Sequence, residues 1–324
     1  MGKLEVIAAA ECQHESYKKH GKHRDGRQRF RCKDCGKSWL EETVRPIGDM
    51  RIGVDRATMV LQLLLEGMSV SSVERVTSVH HNTICDLILV VGGNCDRLHR
   101  RMVKDVPVTD IQADELWSFC AMKDRTRKQR GLAPGKVGNQ WTFIAIEREL
   151  KLLLAYEYSY HRTDDVAQRF LNKLKHAVTG RFQMSTDGLA AYRWNIPVTF
   201  RDDVDFAQLI KQYAAAQVTT RYSPAQIIRT EKVARWGKPV PERVCTSHIE
   251  TFNQKMRMSL RRFTRLTNAH SKSVDHHKAM QSVMFAHYNF CKTHTTIKAT
   301  PAVQAGIAAK KWSIGELLTE AAMS

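Results

Sequence analysis

The chain has 324 residues, 43% hydrophobic and 26% charged, and 51 lysines and arginines against 33 acidic residues give a net charge of +18 and a pI near 9.7. That length supports two or three domains with sizeable cores, and the charge excess suits a polyanion such as nucleic acid. Apolar runs such as Leu87 to Val91 fall far short of the roughly 20 residues that cross a bilayer, MGKLEVIAAAECQ lacks a signal-peptide core, and eight scattered cysteines form no disulfide framework, which argues against a membrane partner and points to the cytoplasm.

Residues 12–37 read as a small basic module, and 17–37 alone carry nine lysines and arginines against two aspartates. Cys32 and Cys35 form a Cys-x-x-Cys knuckle with metal-ligand spacing. The first half offers Cys12 but no second cysteine, leaving His14, Glu15, His20 or His23 to complete a tetrahedral site, with His14 favoured. A metal-free basic hairpin is the alternative. The connector TVRPIGDM closes this module, taken as 1–50. From Asp55 the pattern is helical, with Val60, Leu61, Leu64 and Leu65 on one face and Gly67 at the stop. Ser69 is placed to cap a short helix from Val70 to Val76, TSVHHN supplies a turn, and Thr83 to Val91 gives a second helix. The pair fits a helix-turn-helix within 51–105, or else a plain helical core pair.

Past Pro107 the periodicity becomes that of strands, at 108–120, 140–149 and 151–160, as in a meander. Thr163 caps a helix in which Val166, Phe170 and Leu174 recur every four residues and Asp164 and Asp165 suit the N-terminal end. RFQMST forms a fourth strand ending at Asp187-Gly188. The order β-β-β-α-β implies an α/β (α+β) domain over 106–324, with a mixed sheet and a crossover helix. A polar stretch near 217–245, broken by Pro224, Gly237, Pro239 and Pro241, reads as an insertion or functional loop. TSHIETFNQKMRMSLRRF is helical, with Ile249, Phe252, Met256, Leu260 and Phe263 as its apolar stripe.

The run VTDIQADELWSF places Asp114 and Glu115 side by side on a strand. Alternation sends them to opposite faces, so only one is expected as a primary ligand. Asp187 projects from the end of a strand, and Glu250 lies in the first turn of the late helix with Asn253, Gln254 and Arg257 on its own side. Convergence of Asp114, Asp187 and Glu250 would suit two Mg²⁺ (or Mn²⁺) ions, hard cations that take oxygen ligands and clamp a phosphoryl displacement. The alternatives are an Asp-Gly turn for Asp187 and a Ser247–Glu250 capping box. Trp194 and Trp236 are candidates for stacking on a base, against the commoner role of core packing.

Taken together and in order, DIQADELWSF, MSTDGLAAY, ERVCTSHIETFNQKMRMSLRRFTRLTNAHSK and FAHYNFCKTHTTIKATPA resemble an insertion-sequence transposase of the DDE class, nearest to the IS-one family and its relatives. The resemblance runs from Cys12 through about Leu318. It implies a ribonuclease-H-like catalytic fold with Asp114, Asp187 and Glu250 as the metal-binding triad, Arg257 as a basic residue seven past the glutamate, and Glu115 as a neighbour making structural contacts. QRFRCKDCGKSW resembles the second half of an N-terminal zinc ribbon, giving Cys12, His14, Cys32 and Cys35 as candidate Zn²⁺ ligands. The expected activity is binding of the mobile element's ends and metal-dependent cleavage and strand transfer. A nuclease or DNA-binding regulator derived from a transposase is the alternative. Double-stranded DNA, both element ends and target, is the expected partner, with action at the bacterial nucleoid and room for a homo-oligomer on DNA. Basic residues in 255–278, namely Arg257, Arg261, Arg262, Arg265 and Lys272, are the expected backbone contacts beside the triad; Arg27, Arg29, Arg31 and Thr83 are those of the N-terminal modules.

Overall fold

A computed structural model of the chain describes residues 12–24, 26–41, 45–213, 227–264 and 268–324. It divides into two compact units, Met1–Arg45 and Pro46–Ser324. In the smaller unit, β1 (Tyr17–Lys22), β2 (Gln28–Cys32) and β3 (Ser38–Leu40) form an antiparallel sheet in that order. Tyr17, Phe30 and Trp39 pack on one another with ring centroids 5.3 to 6.2 Å apart. Cys32 alone is buried among the described residues of this unit, too little apolar burial to hold so short a chain folded.

The larger unit opens with α1 (Val54–Leu65), α2 (Val70–Thr77) and α3 (His81–Met102). Ser69 caps α2 as its sequence suggests, its Oγ accepting the Ser72 N–H at 3.1 Å. Ser78, at φ 54°, ends the helix in the left-handed region. The helix expected to stop at Val91 runs on to Met102. Gly92 is not a terminator: a Cβ there would lie 2.5 Å from Ala279, so the glycine lets two helices touch. The region 51–105, expected as a module of its own, instead shares one core with later helices and the sheet.

After β4 (Val106–Pro107) come β5 (Asp110–Cys120), α4 (Asp124–Gln129), β6 (Gly138–Glu147) and β7 (Leu153–Ser159). Then follow α5 (Asp164–Ala177), β8 (Val178–Thr179), β9 (Phe182–Thr186), α6 (Ala190–Phe200), β10 (Val204–Tyr213) and β11 (Ile227–Trp236). Four helices close the chain: α7 (Ser247–Ser259), α8 (Val274–Ala286), α9 (Pro301–Gln304) and α10 (Ile314–Ala322). The main sheet has the order β11-β10-β9-β5-β6-β7. The three strands β5, β6 and β7 are the expected antiparallel meander. β9 lies parallel to both β5 and β10, so the sheet is mixed.

The polar stretch near 217–245 requires a correction. Residues 227–236 form β11, antiparallel to β10. Its side chains are mostly exposed, so the strand carries Arg229, Glu231 and Lys232 and lacks the apolar signature of a core strand. The part at 217–226 lies outside the described residues.

Side chains alternate cleanly across β5 and β6. Leu116, Ile144 and Ile146 face α3, α7, α8 and α10, whereas Ile111, Ala113, Phe143 and Ala145 face α5 and α6. Helices thus cover both faces, and the acidic residues of β5 sit between two cores. Among the described residues no helix is long and apolar enough to cross a membrane.

Candidate active site

Strand register brings the first two acids together. The parallel β5–β9 pairing ends at Ala113 opposite Thr186, and at the next residue β9 leaves the sheet while β5 continues. Asp114 therefore stands beside Asp187 at the mouth of a gap in the sheet. Alternation holds, since Asp114 shares the face of Leu116 and reaches α7, whereas Glu115 reaches Tyr192 of α6 and Arg162. The gap nevertheless lets both converge: Asp114, Glu115 and Asp187 each place a carboxylate oxygen within 4.8 Å of the others. Glu115 makes the structural contacts expected of it, with Arg162 and Tyr192, and in addition its carboxylate lies beside those of Asp114 and Asp187.

The cluster is electrostatically crowded. Burial, and next the Asp187 carboxylate, push the Asp114 carboxyl up to about 6. Burial pushes Glu115 further, to about 8, with Asp187 again adding to it, although Arg162 lies 3.6 Å away. Glu115 faces the Tyr192 hydroxyl, and one oxygen acceptor, Asn253 Oδ1, is buried without a hydrogen-bond partner among the described residues. Carboxylates forced together beside an unsatisfied amide oxygen form a donor set matched to a hard divalent cation.

Buried glutamines hold the loops that carry these groups. Gln112 Oε1 accepts the N–H groups of His248 and Ile249 at 3.0 and 3.2 Å, fixing the start of α7 against β5. One turn on, Asn253 donates to Asp114 Oδ2 at 2.8 Å. Gln208 on β10 donates to the carbonyls of Asp187 and Leu189 at 2.8 and 3.1 Å. Asp187 also takes part in its turn, one oxygen accepting the Leu189 N–H at 3.0 Å.

Glu250 lies near this cluster without joining it at that distance; its charge still raises the Asp114 pKa. Its Oε1 is held by Lys211 of β10 and by Thr246 Oγ1. The Ser247–Glu250 capping box does not form, because the helix starts one residue earlier, at an N-cap of Thr246, whose carbonyl accepts the Glu250 N–H at 3.0 Å. Sequence reasoning missed Gln112, Gln208 and Lys211, none of which has a spacing signal; Asn253 was visible at i+3 from Glu250.

The candidate DNA contacts differ in setting. Arg261 and Lys272 are exposed, Arg257 and Thr83 are half-buried, and Arg265 lies outside the described residues. Arg262 does not fit a phosphate contact: its guanidinium turns inward to the His276 carbonyl at 2.8 Å, and burial lowers its pKa to about 10. In the smaller unit Arg31 is exposed, and Arg27 and Arg29 are half-buried.

That unit also holds a second cluster. Cys12, His14, Cys32 and Cys35 place ligand atoms within 4.8 Å of one another, with Cys12 and Cys32 sulfurs 3.7 Å apart and Cys35 Sγ 3.3 Å from His14 Nδ1. Of the four candidates for the last position, His14 is the one that joins the cysteines. Three sulfurs and an imidazole nitrogen at this spacing form a donor set suited to a tetrahedral soft-metal site.

No protein-family model matches the chain, and no curated protein matches it in sequence. Among solved structures it is similar to a cryo-EM structure of a piggyBac transposase synaptic complex with hairpin DNA, at 9% sequence identity and a TM-score of 0.40, over 87% of this chain and 72% of that one.

Proposed function

We propose that the chain is a DNA transposase of the DDE class, which binds the ends of its mobile element and catalyses metal-dependent cleavage and strand transfer on a ribonuclease-H-like domain. The observation that carries this reading is the meeting of Asp114 and Asp187 at the end of a parallel strand pair, with the Asn253 amide oxygen left unsatisfied beside them, in a chain of net charge +18. The sheet order, three antiparallel strands followed by two parallel ones with a helix returning over β5, supports the fold assignment. Asp114 and Asp187 would hold Mg²⁺ or Mn²⁺, with Glu115 and Glu250 as the further carboxylates available to it. A cation held there would make the attacking oxygen a better nucleophile and stabilise charge on the leaving oxygen. Asn253 and Gln208 keep the first two carboxylates in place, and no covalent protein nucleophile is required.

The helices α2 and α3, with Thr83 near the exposed start of α3, serve as the reader of element ends. Cys12, His14, Cys32 and Cys35 would hold Zn²⁺, which would supply the stability that a basic module carrying Arg27, Arg29 and Arg31 lacks on its own. Arg257, Arg261 and Lys272 run along the DNA backbone near the acids. The test is incubation with Mg²⁺ and labelled duplex carrying the repeats that flank the gene. Cleaved ends joined to target DNA are expected. Hydrolysis without joining would make the protein a nuclease, and binding without either would make it a regulator.

A further inference from the structure

On the α6 side of the larger unit, outside the acidic cluster, lies a groove of about 600 Å³ between α6 and β11. Trp194 and Val198, one turn apart on α6, are 70% and 69% exposed, and Trp236 on β11 is 44% exposed. Exposure on this scale is unusual for tryptophan, and the residues lie together, so neither ring belongs to the core. Arg193, Arg201 and Arg235 also line the groove. Asp202 and Asp203 follow Arg201 in its turn but are not among the lining residues.

The geometry is fixed rather than loose. Trp236 Nε1 donates to the Arg201 carbonyl at 2.8 Å, which satisfies the polar edge of the indole. Arg201 sits at φ 51° and ψ −119°, a conformation that favours glycine, and this bond helps to hold it. The Arg193 guanidinium lies 5.2 Å from the Trp194 ring centroid. Arg235 donates to Gln208 Oε1 at 2.9 Å, and the other end of Gln208 holds the Asp187 carbonyl. One side chain therefore links the groove wall to the acidic loop.

We propose that this groove binds an unpaired stretch of DNA strand, Trp194 and Trp236 stacking on bases and the arginines pairing with phosphates. Aromatic faces between cations are how single strands are held without regard to sequence, since every base has a π-face. The inference rests on the proposed transposase reading only in choosing DNA as the polyanion.

The test measures binding of full-length protein to a short oligo-dT and to a duplex of equal length, without divalent cations so that nothing is cleaved. Oligo-dT is expected to quench tryptophan fluorescence, and Trp194→Ala and Trp236→Ala are each expected to weaken its binding roughly tenfold. Duplex affinity should change by less than about twofold, and Trp194→Phe should keep most of the oligo-dT binding. Unchanged oligo-dT affinity in Trp194→Ala, whose side chain is the more exposed and least able to disturb folding, would overturn the proposal. A fall in oligomer mass by light scattering with oligo-dT affinity unchanged would also overturn it and make the groove a contact between copies. Failure here leaves the cleavage reading standing, and failure of cleavage leaves this binding result standing.

Discussion

Glu115 lies on the opposite face of β5 from Asp114, yet it brings a carboxylate oxygen within 4.8 Å of one from Asp187. The residue that strand alternation assigns to structure thus enters the same cluster, and Glu115→Gln should be costly. Affinity for Mn²⁺, followed by titration calorimetry, is expected to fall about tenfold or more, the scale of losing a supporting ligand. Unchanged affinity would reduce Glu115 to the partner of Arg162.

The same crowding sets a pH dependence. Folded Glu115, raised to about 8, and Asp114, raised to about 6, hold protons that the unfolded chain has released, so their contribution to stability declines as pH rises from the ordinary carboxylate range through those pKa values. Buried His99 and His277 and half-buried His287 are lowered to about 4, 3 and 4. The unfolded chain protonates these below its own histidine pKa, so stability is also lost as pH falls from about 6.5 towards those values. Thermal melts without metal should therefore peak near about pH 6, and Mg²⁺ should remove the alkaline decline by favouring the ionised carboxylates. A melting temperature still rising through pH 8 without metal would contradict this.

The small unit should depend on its metal. Protein purified without chelator is expected to carry one zinc per chain by elemental analysis. Chelation or Cys35→Ser should unfold Met1–Arg45 while the melt of the larger unit persists. Absence of zinc would sink the assignment, and full retention in His14→Ala would move the fourth ligand elsewhere.

Adjacent glycines in α3 should respond in opposite ways. A Cβ on Gly92 would meet Ala279 at 2.5 Å, whereas one on Gly93 finds nothing nearer than an Arg97 side-chain nitrogen at 3.9 Å. Gly92→Val is expected to cost about 3 kcal/mol or more through overpacking, and Gly93→Ala to gain about 0.5–1 kcal/mol through helix propensity. Chemical denaturation of the two variants decides it; equal effects would mean that α3 and α8 do not pack this closely.

Features with a period or a cap could be read from the sequence. The meander, the crossover helix and the late helix stripe all have such signals: Ile249, Phe252 and Met256 are buried on α7, while Leu260 and Phe263 are buried just past its end at Ser259. The meeting of Asp114 with Asp187 was accessible as strand-end chemistry. Other features lack a local signature. Gly92 reads as a helix stop unless Ala279 is known to lie against it, and an exposed edge strand such as β11 reads as loop. The closeness of Glu115 to Asp187 was not legible, because alternation fixes the face a side chain leaves from but not where a neighbouring strand ends. The Lys211–Glu250 pair joins residues whose proximity depends on how β10 and α7 are placed.

The account stands most directly on Asp187→Asn. This change keeps side-chain volume and the Leu189 turn while removing one negative charge from the cluster. Cleavage and strand transfer of element-end DNA in Mg²⁺ should be measured at matched DNA occupancy for parent and variant. The expected result is DNA binding within about twofold of the parent, since the basic surfaces are untouched, with cleavage and joining lost. Substantial Mg²⁺-dependent cleavage by the variant would contradict the account and leave Asp187 as a turn residue.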